Sequence, residues 1–399
     1  MNQRHEIVVI GGGYAGVMAA LNAAGRTSKA AARIWIINPV DQFVERICLH
    51  QIAAGRPVKR LRLQHLLRGK GIEFVQGSVT RIDPDAQQVQ VESEPGTQTI
   101  GYDTLIYALG STIDRDQVPG ARDYADVLTG TDALRLFDRL KNAAAGDRVI
   151  VCGGGLTGIE AAAEIAEAYP RLRVSLLTEG PIGANLSEKG RTHVRQSFAW
   201  LGIDLHEHTT IERITADAVN TSRGSFAYQV CVWAGAFRVP TLAHDSGIAV
   251  NERGQILTDA YLRSVSHPSI LAAGDSAVPV SHPFPLRMAC ATAMPMGSAA
   301  GENAARLAKN QSLKPFQMAF AAVCVSLGRR DGLLQKVNTD DAPVEQVVTG
   351  WRGALMKEMI CQYTRLGLRL ERLLPGIYYY PRLKANKAAP TAAARVQAR

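Results

Sequence analysis

The sequence predicts an α/β protein built on parallel sheets, and three observations carry that prediction. One short grammar occurs twice: a β-branched run, a glycine-rich turn, then a run of alanine and other small residues. Short apolar runs follow each copy at the intervals that an alternating strand–helix chain needs. Finally, 399 residues exceed what one hydrophobic core supports, so at least two domains are expected.

The first copy reads Ile7-Val8-Val9-Ile10, then Gly11-Gly12-Gly13-Tyr14-Ala15-Gly16, then Val17 to Ala24. The second reads Val149-Ile150-Val151-Cys152, then Gly153-Gly154-Gly155-Leu156-Thr157-Gly158, then Ile159 to Ala168. In a G-x-G-x-x-G turn the first glycine makes the tight bend and the second lets the backbone approach a pyrophosphate. The third lets helix pack on strand. The helix that follows offers free N–H groups and a positive dipole end. A single such turn is weak evidence, because glycines also gather for steric reasons. Two copies between strand and helix predict two Rossmann-like dinucleotide-binding domains.

The remaining strands fall in order. Arg33 to Ile37 and Arg173 to Thr178 read as the second strands of the two units. Thr104 to Leu109 ends in Ala108-Leu109-Gly110, Val230 to Ala234 ends at Gly235, and Ser269 to Ala273 leads into Gly274-Asp275. Val118-Pro119-Gly120 reads as an outgoing crossover and Val239-Pro240 as the return, which inserts the second domain into the first. The expected layout is 1–113 and 240–310 for one domain, 114–239 for the inserted one, 311–383 for a C-terminal region and 384–399 for a disordered tail.

In that C-terminal region Leu355, Met359, Tyr363, Leu366, Leu370 and Leu373 recur at steps of three and four, with Lys357, Arg365, Arg369 and Arg372 beside them. This is an amphipathic basic helix ended by Pro375-Gly376 and followed by Ile377-Tyr378-Tyr379-Tyr380. Two placements are open: packed on the fold with its charges in water, or lying on an anionic membrane surface. A homodimer contact there is also open.

Composition narrows the classes. The net charge of +9 allows anionic partners, but no nucleic-acid-binding signature is present. Six scattered cysteines form no CxxC pair, so no zinc site or dithiol pair is encoded locally, and no metal is expected. The chain runs from Met1 almost directly into its first strand. The apolar stretch Phe316 to Leu327 is too short to span a bilayer as a helix. A cytoplasmic protein, peripheral on the membrane if the helix binds it, is the expectation.

The paired glycine turns, Ala108-Leu109-Gly110 and Leu271-Ala272-Ala273-Gly274-Asp275 together resemble the FAD-dependent pyridine nucleotide oxidoreductase superfamily. Phe43 to Gly55, the G-G-G-x-x-G-x-E-x-x-x-E run of Gly153 to Glu164, and Arg287 to Asn303 resemble its type II NADH dehydrogenases. The resemblance covers roughly the first three-quarters of the chain. It implies that the first glycine turn holds the FAD pyrophosphate and that Asp275 bonds the ribityl chain or its phosphate. It also implies that Glu160 sits where nicotinamide and flavin meet. Glu179, about twenty residues past Gly158, is placed for the ribose hydroxyls and favours NADH over NADPH. The matching residue of the first domain is Asn38, a departure from the usual acid.

The expected cofactor-binding set is Gly11, Gly13, Tyr14, Ala15, Gly16, Asn38, Arg46, Ala108, Gly110, Gly153, Gly155, Gly158, Glu179, Gly235, Gly274, Asp275 and Ala291. Glu160 is the one expected catalytic residue. Cys48 has no partner, which excludes a disulfide-reductase mechanism, and reads as a buried thiol. His50 reads as structural, with a flavin or acceptor contact as the alternative. Where the family carries A-Q-x-A-x-Q-x-G beside its quinone, this chain has Cys290-Ala291-Thr292-Ala293-Met294-Pro295-Met296-Gly297, without either glutamine. The expected function is hydride transfer from NADH to FAD and on to a quinone-like or other small acceptor. The alternatives are a reductase for a ferredoxin-type carrier and a redox-sensing flavoprotein.

Overall fold

The computed structural model describes residues 4–58, 61–94 and 96–383; the expected disordered tail lies outside them. Two five-stranded parallel sheets repeat one arrangement. In the first the order is Ile270–Ala272, Thr104–Tyr107, His5–Ile10, Ala32–Asn38 and Ile72–Gln76. In the second it is Asp126–Val127, Val230–Trp233, Arg148–Cys152, Arg173–Leu177 and Asp204–His206. The strand that feeds a glycine turn is central in both. Ile7 to Ile10 and Val149 to Cys152 are buried throughout, as a strand covered on both faces requires.

The chain leaves the first sheet through Thr112–Ile113 and returns through Phe237–Arg238, and these two segments pair antiparallel. Trp233 Nε1 donates to Asp114 O at 2.7 Å across the same junction. The two linkers therefore brace each other.

Small residues set the packing of the first unit. The helices Tyr14–Arg26 and Cys290–Leu307 lie backbone against backbone. A Cβ on Gly297 would stand 2.2 Å from Ala15 O, and one on Gly301 2.3 Å from Ala19 O. Pro295 lies inside the second of these helices and has no N–H to give to the carbonyl of Ala291.

Three three-stranded antiparallel sheets have no counterpart in the sequence reading; one, Ile211–Ile214, Ala218–Thr221 and Gly224–Ala227, lies within the inserted unit and two lie outside it. One of these two is a meander of Ser78–Asp83, Gln88–Ser93 and Gly96–Gly101. The other, Ala322–Ser326, Gly332–Val337 and Pro343–Val348, opens the C-terminal region. It joins that region to the inserted unit: Gln335 Oε1 accepts from Ser187 N at 2.7 Å, and the Glu345 carboxylate accepts from Glu188 N and Lys189 N, both at 3.0 Å.

The C-terminal helix runs over Gly350–Leu373, straight through Gly367. Its orientation corrects the packed alternative with charges in water. The apolar stripe faces outward: Leu355 is 52% exposed, Met359 55%, Leu366 49% and Leu373 63%. The face against the protein instead carries Gly353, Lys357, Cys361, Thr364, Leu368 and Glu371. Buried charges are costly unless paired or hydrogen-bonded, and each of these has partners. Lys357 meets Glu160, while Glu371 accepts from Asn22 Nδ2 and Gly376 N, both at 2.7 Å.

Candidate functional site

The two glycine turns are built alike. A Cβ on Gly16 would fall 1.8 Å from Gly11 O, and one on Gly158 1.9 Å from Gly153 O. Gly11 likewise abuts Ala108 O, and Gly153 abuts Ala234 O. These glycines are demanded by the protein's own packing. Gly13 and Gly155 are different: a Cβ on either would meet nothing within 4 Å. Both are helix N-caps, and glycine brings no side chain to cover the first-turn N–H groups. That is the cradle a dinucleotide pyrophosphate needs, present twice.

The side chains beneath the turns explain their neighbours. Asn38 Oδ1 accepts from Gly12 N at 2.8 Å, and its Nδ2 donates to Val40 O at 2.7 Å. Asn38 is thus engaged in bracing the turn. Thr178 fills the equivalent space under Gly154. Glu179 follows it, exposed, just past the end of its strand. Gly235 lies against the Trp233 ring, and Gly110 borders open space.

At the carboxyl end of the first sheet Ser111 Oγ donates to Asp275 Oδ2 at 2.6 Å. Arg46 Nη1 donates to Ser111 O at 2.9 Å and stands 3.6 Å from Asp275 Oδ2. Three chain segments thus converge on one charge-paired edge, with Phe237 under the Arg46 guanidinium. Gly274 packs against the Ala15 methyl. Tyr14 is buried edge-on to Phe43, its hydroxyl unpartnered, and Ala291 is exposed on the first turn of its helix.

Glu160 lies at a three-way contact. Its Oε1 is 2.7 Å from Lys357 Nζ and accepts from Ser326 N at 3.0 Å, while Oε2 is 3.6 Å from His50 Nδ1. Burial would raise the Glu160 pKa, but the Lys357 ammonium and these contacts hold it below the ordinary carboxylate value. Burial pulls at Lys357 in the opposite sense, yet Glu160 keeps it protonated with a raised pKa. His50 is driven down to about 4, first by burial and then by nearby Lys357 and Arg329, against the pull of Glu160. At neutral pH the cluster is one anion, one cation and one neutral imidazole. Glu164, one turn on, accepts from Ser326 Oγ at 3.3 Å and pairs with Arg329.

Burial, followed by nearby Glu45, pushes the Cys48 thiol up to about 12, so it is not a nucleophile at neutral pH. Lys357, Ser326 and Ser111 were not singled out in the sequence. Lys357 read as one more charge on an amphipathic helix, and only its misfit to the outward apolar face could have flagged it. Among the described residues no cluster of metal-ligating side chains occurs.

The chain matches the family described as pyridine nucleotide-disulphide oxidoreductase over residues 5–301. It is 28% identical over 370 residues to an NADH dehydrogenase-like protein of Mycobacterium tuberculosis, covering 85% of this chain and 91% of that one. It is 25% identical to a type II NADH:quinone oxidoreductase of Staphylococcus aureus, covering 90% and 94%. The fold is like that of a sulfide:quinone oxidoreductase from Aquifex aeolicus, with a TM-score of 0.78, 20% identity and 93% of each chain covered. This chain belongs to the pyridine nucleotide-disulphide oxidoreductase family, and the expected class of FAD-dependent NAD(P)H oxidoreductase stands with that membership.

Proposed function

We propose that this protein oxidises NADH with FAD as its flavin and passes the electrons to a quinone-class acceptor drawn from a membrane surface. The observation that carries the proposal is the duplicated cradle: two equivalent glycine turns, each with one glycine facing open space before an uncapped helix. The first turn, with the Arg46–Ser111–Asp275 edge, would hold FAD. The second, with Glu179, would hold NADH, because a carboxylate at the ribose edge repels a 2′-phosphate. Bound FAD supplies the two-electron chemistry.

The protein's part is binding and proton supply. Reducing a quinone to a quinol takes two electrons and two protons; the hydride from NADH brings both electrons and one proton, so one further proton must be supplied. The Glu160–Lys357 pair keeps one proton on Nζ in a water-poor place. Both glutamines of the family's acceptor motif are absent; Thr292 within that segment carries a buried, unpartnered hydroxyl, and so does Tyr14, which comes close to Cys290 in space. The outward stripe of the C-terminal helix, with exposed Arg352 and Arg369 beside it, suits an anionic interface. Among the described residues no helix is long and apolar enough to cross a membrane.

The test is a stopped-flow assay on FAD-loaded protein, with NADH or NADPH and with or without menaquinone or ubiquinone analogues. Fast bleaching by NADH and quinone-dependent reoxidation are expected. Bleaching without quinone-dependent reoxidation removes the acceptor assignment, and no bleaching by either nucleotide removes the whole reading.

A further inference from the structure

His50 sits in the short helix Leu49–Ala53, 4% exposed, between the two nucleotide-binding units and the C-terminal helix. One ring nitrogen, Nδ1, faces Glu160 Oε2 at 3.6 Å, and the other, Nε2, is buried with no hydrogen-bond partner. Glu160 Oε1 is already held by Lys357 and Ser326. We infer that His50 is a positioning residue for Glu160: an imidazole that stays neutral, carries its proton on Nδ1 and aims it at Oε2. This rests on the reading of Glu160 as a proton-handling group.

The tautomer follows from the two ring edges. A proton on Nε2 would be a buried donor without an acceptor, and would turn the Nδ1 lone pair toward a carboxylate oxygen. A second proton would add charge beside Lys357 from the C-terminal helix and Arg329 from the turn after Ser326; Glu160 is the carboxylate that faces the ring, while Glu164 is taken up by Arg329. The helix Asp132–Asn142, which also packs here, brings Phe137 against Gly55. The depressed pKa of His50 agrees with this arrangement.

Glu160 needs such a partner. The terminal torsion of a glutamate is broad and roughly two-fold, so holding Oε1 alone leaves Oε2 poorly fixed. At 3.6 Å the contact is a dipole pointed at a charge rather than a full hydrogen bond. That suffices to favour one orientation and the ionised form. His50 therefore does not relay protons, since its far nitrogen leads nowhere.

Two measurements test this. In the wild-type protein, ¹⁵N-histidine NMR should show the Nδ1–H tautomer with no titration between about pH 5 and pH 8. An Nε2–H tautomer, or titration near 6.5 as for a free imidazole, overturns the inference. The pH profile of acceptor-dependent flavin reoxidation is then compared across variants that retain the wild-type melting behaviour. His50→Leu should move the acid limb up by about one unit, and His50→Asn, whose amide N–H mimics Nδ1, should restore it. Superimposable profiles for wild type and His50→Leu, or equal shifts for both variants, overturn it. Glu160→Gln separates the failures. If it changes the profile and His50 variants do not, only the role of His50 falls; if it changes nothing, the reading of Glu160 falls and takes His50 with it.

Discussion

Lys357 Nζ stands 2.7 Å from Glu160 Oε1, although one residue belongs to the C-terminal helix and the other to the helix behind the second glycine turn. The pair ties the C-terminal region to the inserted unit with two buried charges. Removing one partner leaves the other unpaired at a cost of about 3–5 kcal/mol. Lys357→Met should therefore destabilise the protein by that order in urea unfolding, whereas Lys357→Met with Glu160→Gln should recover most of the loss. Additive losses would show that the two side chains do not act as a pair.

Acid should loosen the same cluster. His50 has a folded-state pKa of about 4 against about 6.5 when unfolded, so folding favours its neutral form. Its contribution is fully present above about pH 6.5 and is lost as the pH falls toward 4, amounting to about 3 kcal/mol. Glu160, also depressed, adds to the loss in acid below the ordinary carboxylate pKa. The urea midpoint of the wild type should fall more steeply between neutral and acid pH than that of His50→Leu. Parallel slopes would contradict this.

The glycines of the first turn should separate folding from binding. Gly13→Ala places a methyl in open space, so the fold should melt normally while flavin content drops at least about tenfold, a loss near 1.4 kcal/mol. Gly16→Ala drives a Cβ into Gly11 O and should fail to fold. Visible absorbance and circular dichroism on both variants decide the matter. Full flavin occupancy in Gly13→Ala would remove the phosphate cradle from that turn.

Nucleotide choice should follow Glu179. Replacing this exposed carboxylate by arginine removes the repulsion of a 2′-phosphate and supplies a cation. The NADH-to-NADPH ratio of kcat/KM should fall by about ten- to a hundredfold, or 1.4–2.8 kcal/mol. An unchanged ratio would move the ribose edge elsewhere.

The outward stripe gives a prediction in which stability and location part. Met359→Glu with Leu366→Glu should leave unfolding within about 0.5 kcal/mol, because both side chains are about half exposed. The same change should weaken sedimentation with anionic vesicles. Unaltered vesicle binding would place the membrane contact elsewhere, and a large loss of stability would show that the stripe is covered within the folded protein.

The local grammar was legible in the sequence because it is enforced by contacts between near neighbours. A Cβ on Gly16 would run into the carbonyl of Gly11, five residues earlier. Val8 and Ile150 lie at strand centres where only apolar residues belong, and Asn38 ends its strand, and Thr178 directly follows its own, under the turns beside them. The parallel sheets, the two glycine cradles and the existence of the C-terminal helix were all determined at that level. Tertiary structure alone decided which face of that helix is buried. Periodicity measures amphipathicity but not its sign toward the protein, and Lys357 and Glu371 find their partners, Glu160 and Asn22, some two hundred and more than three hundred residues earlier. Buried polar groups are stable only when every partner arrives, and such partners, distant in sequence, leave no spacing to read.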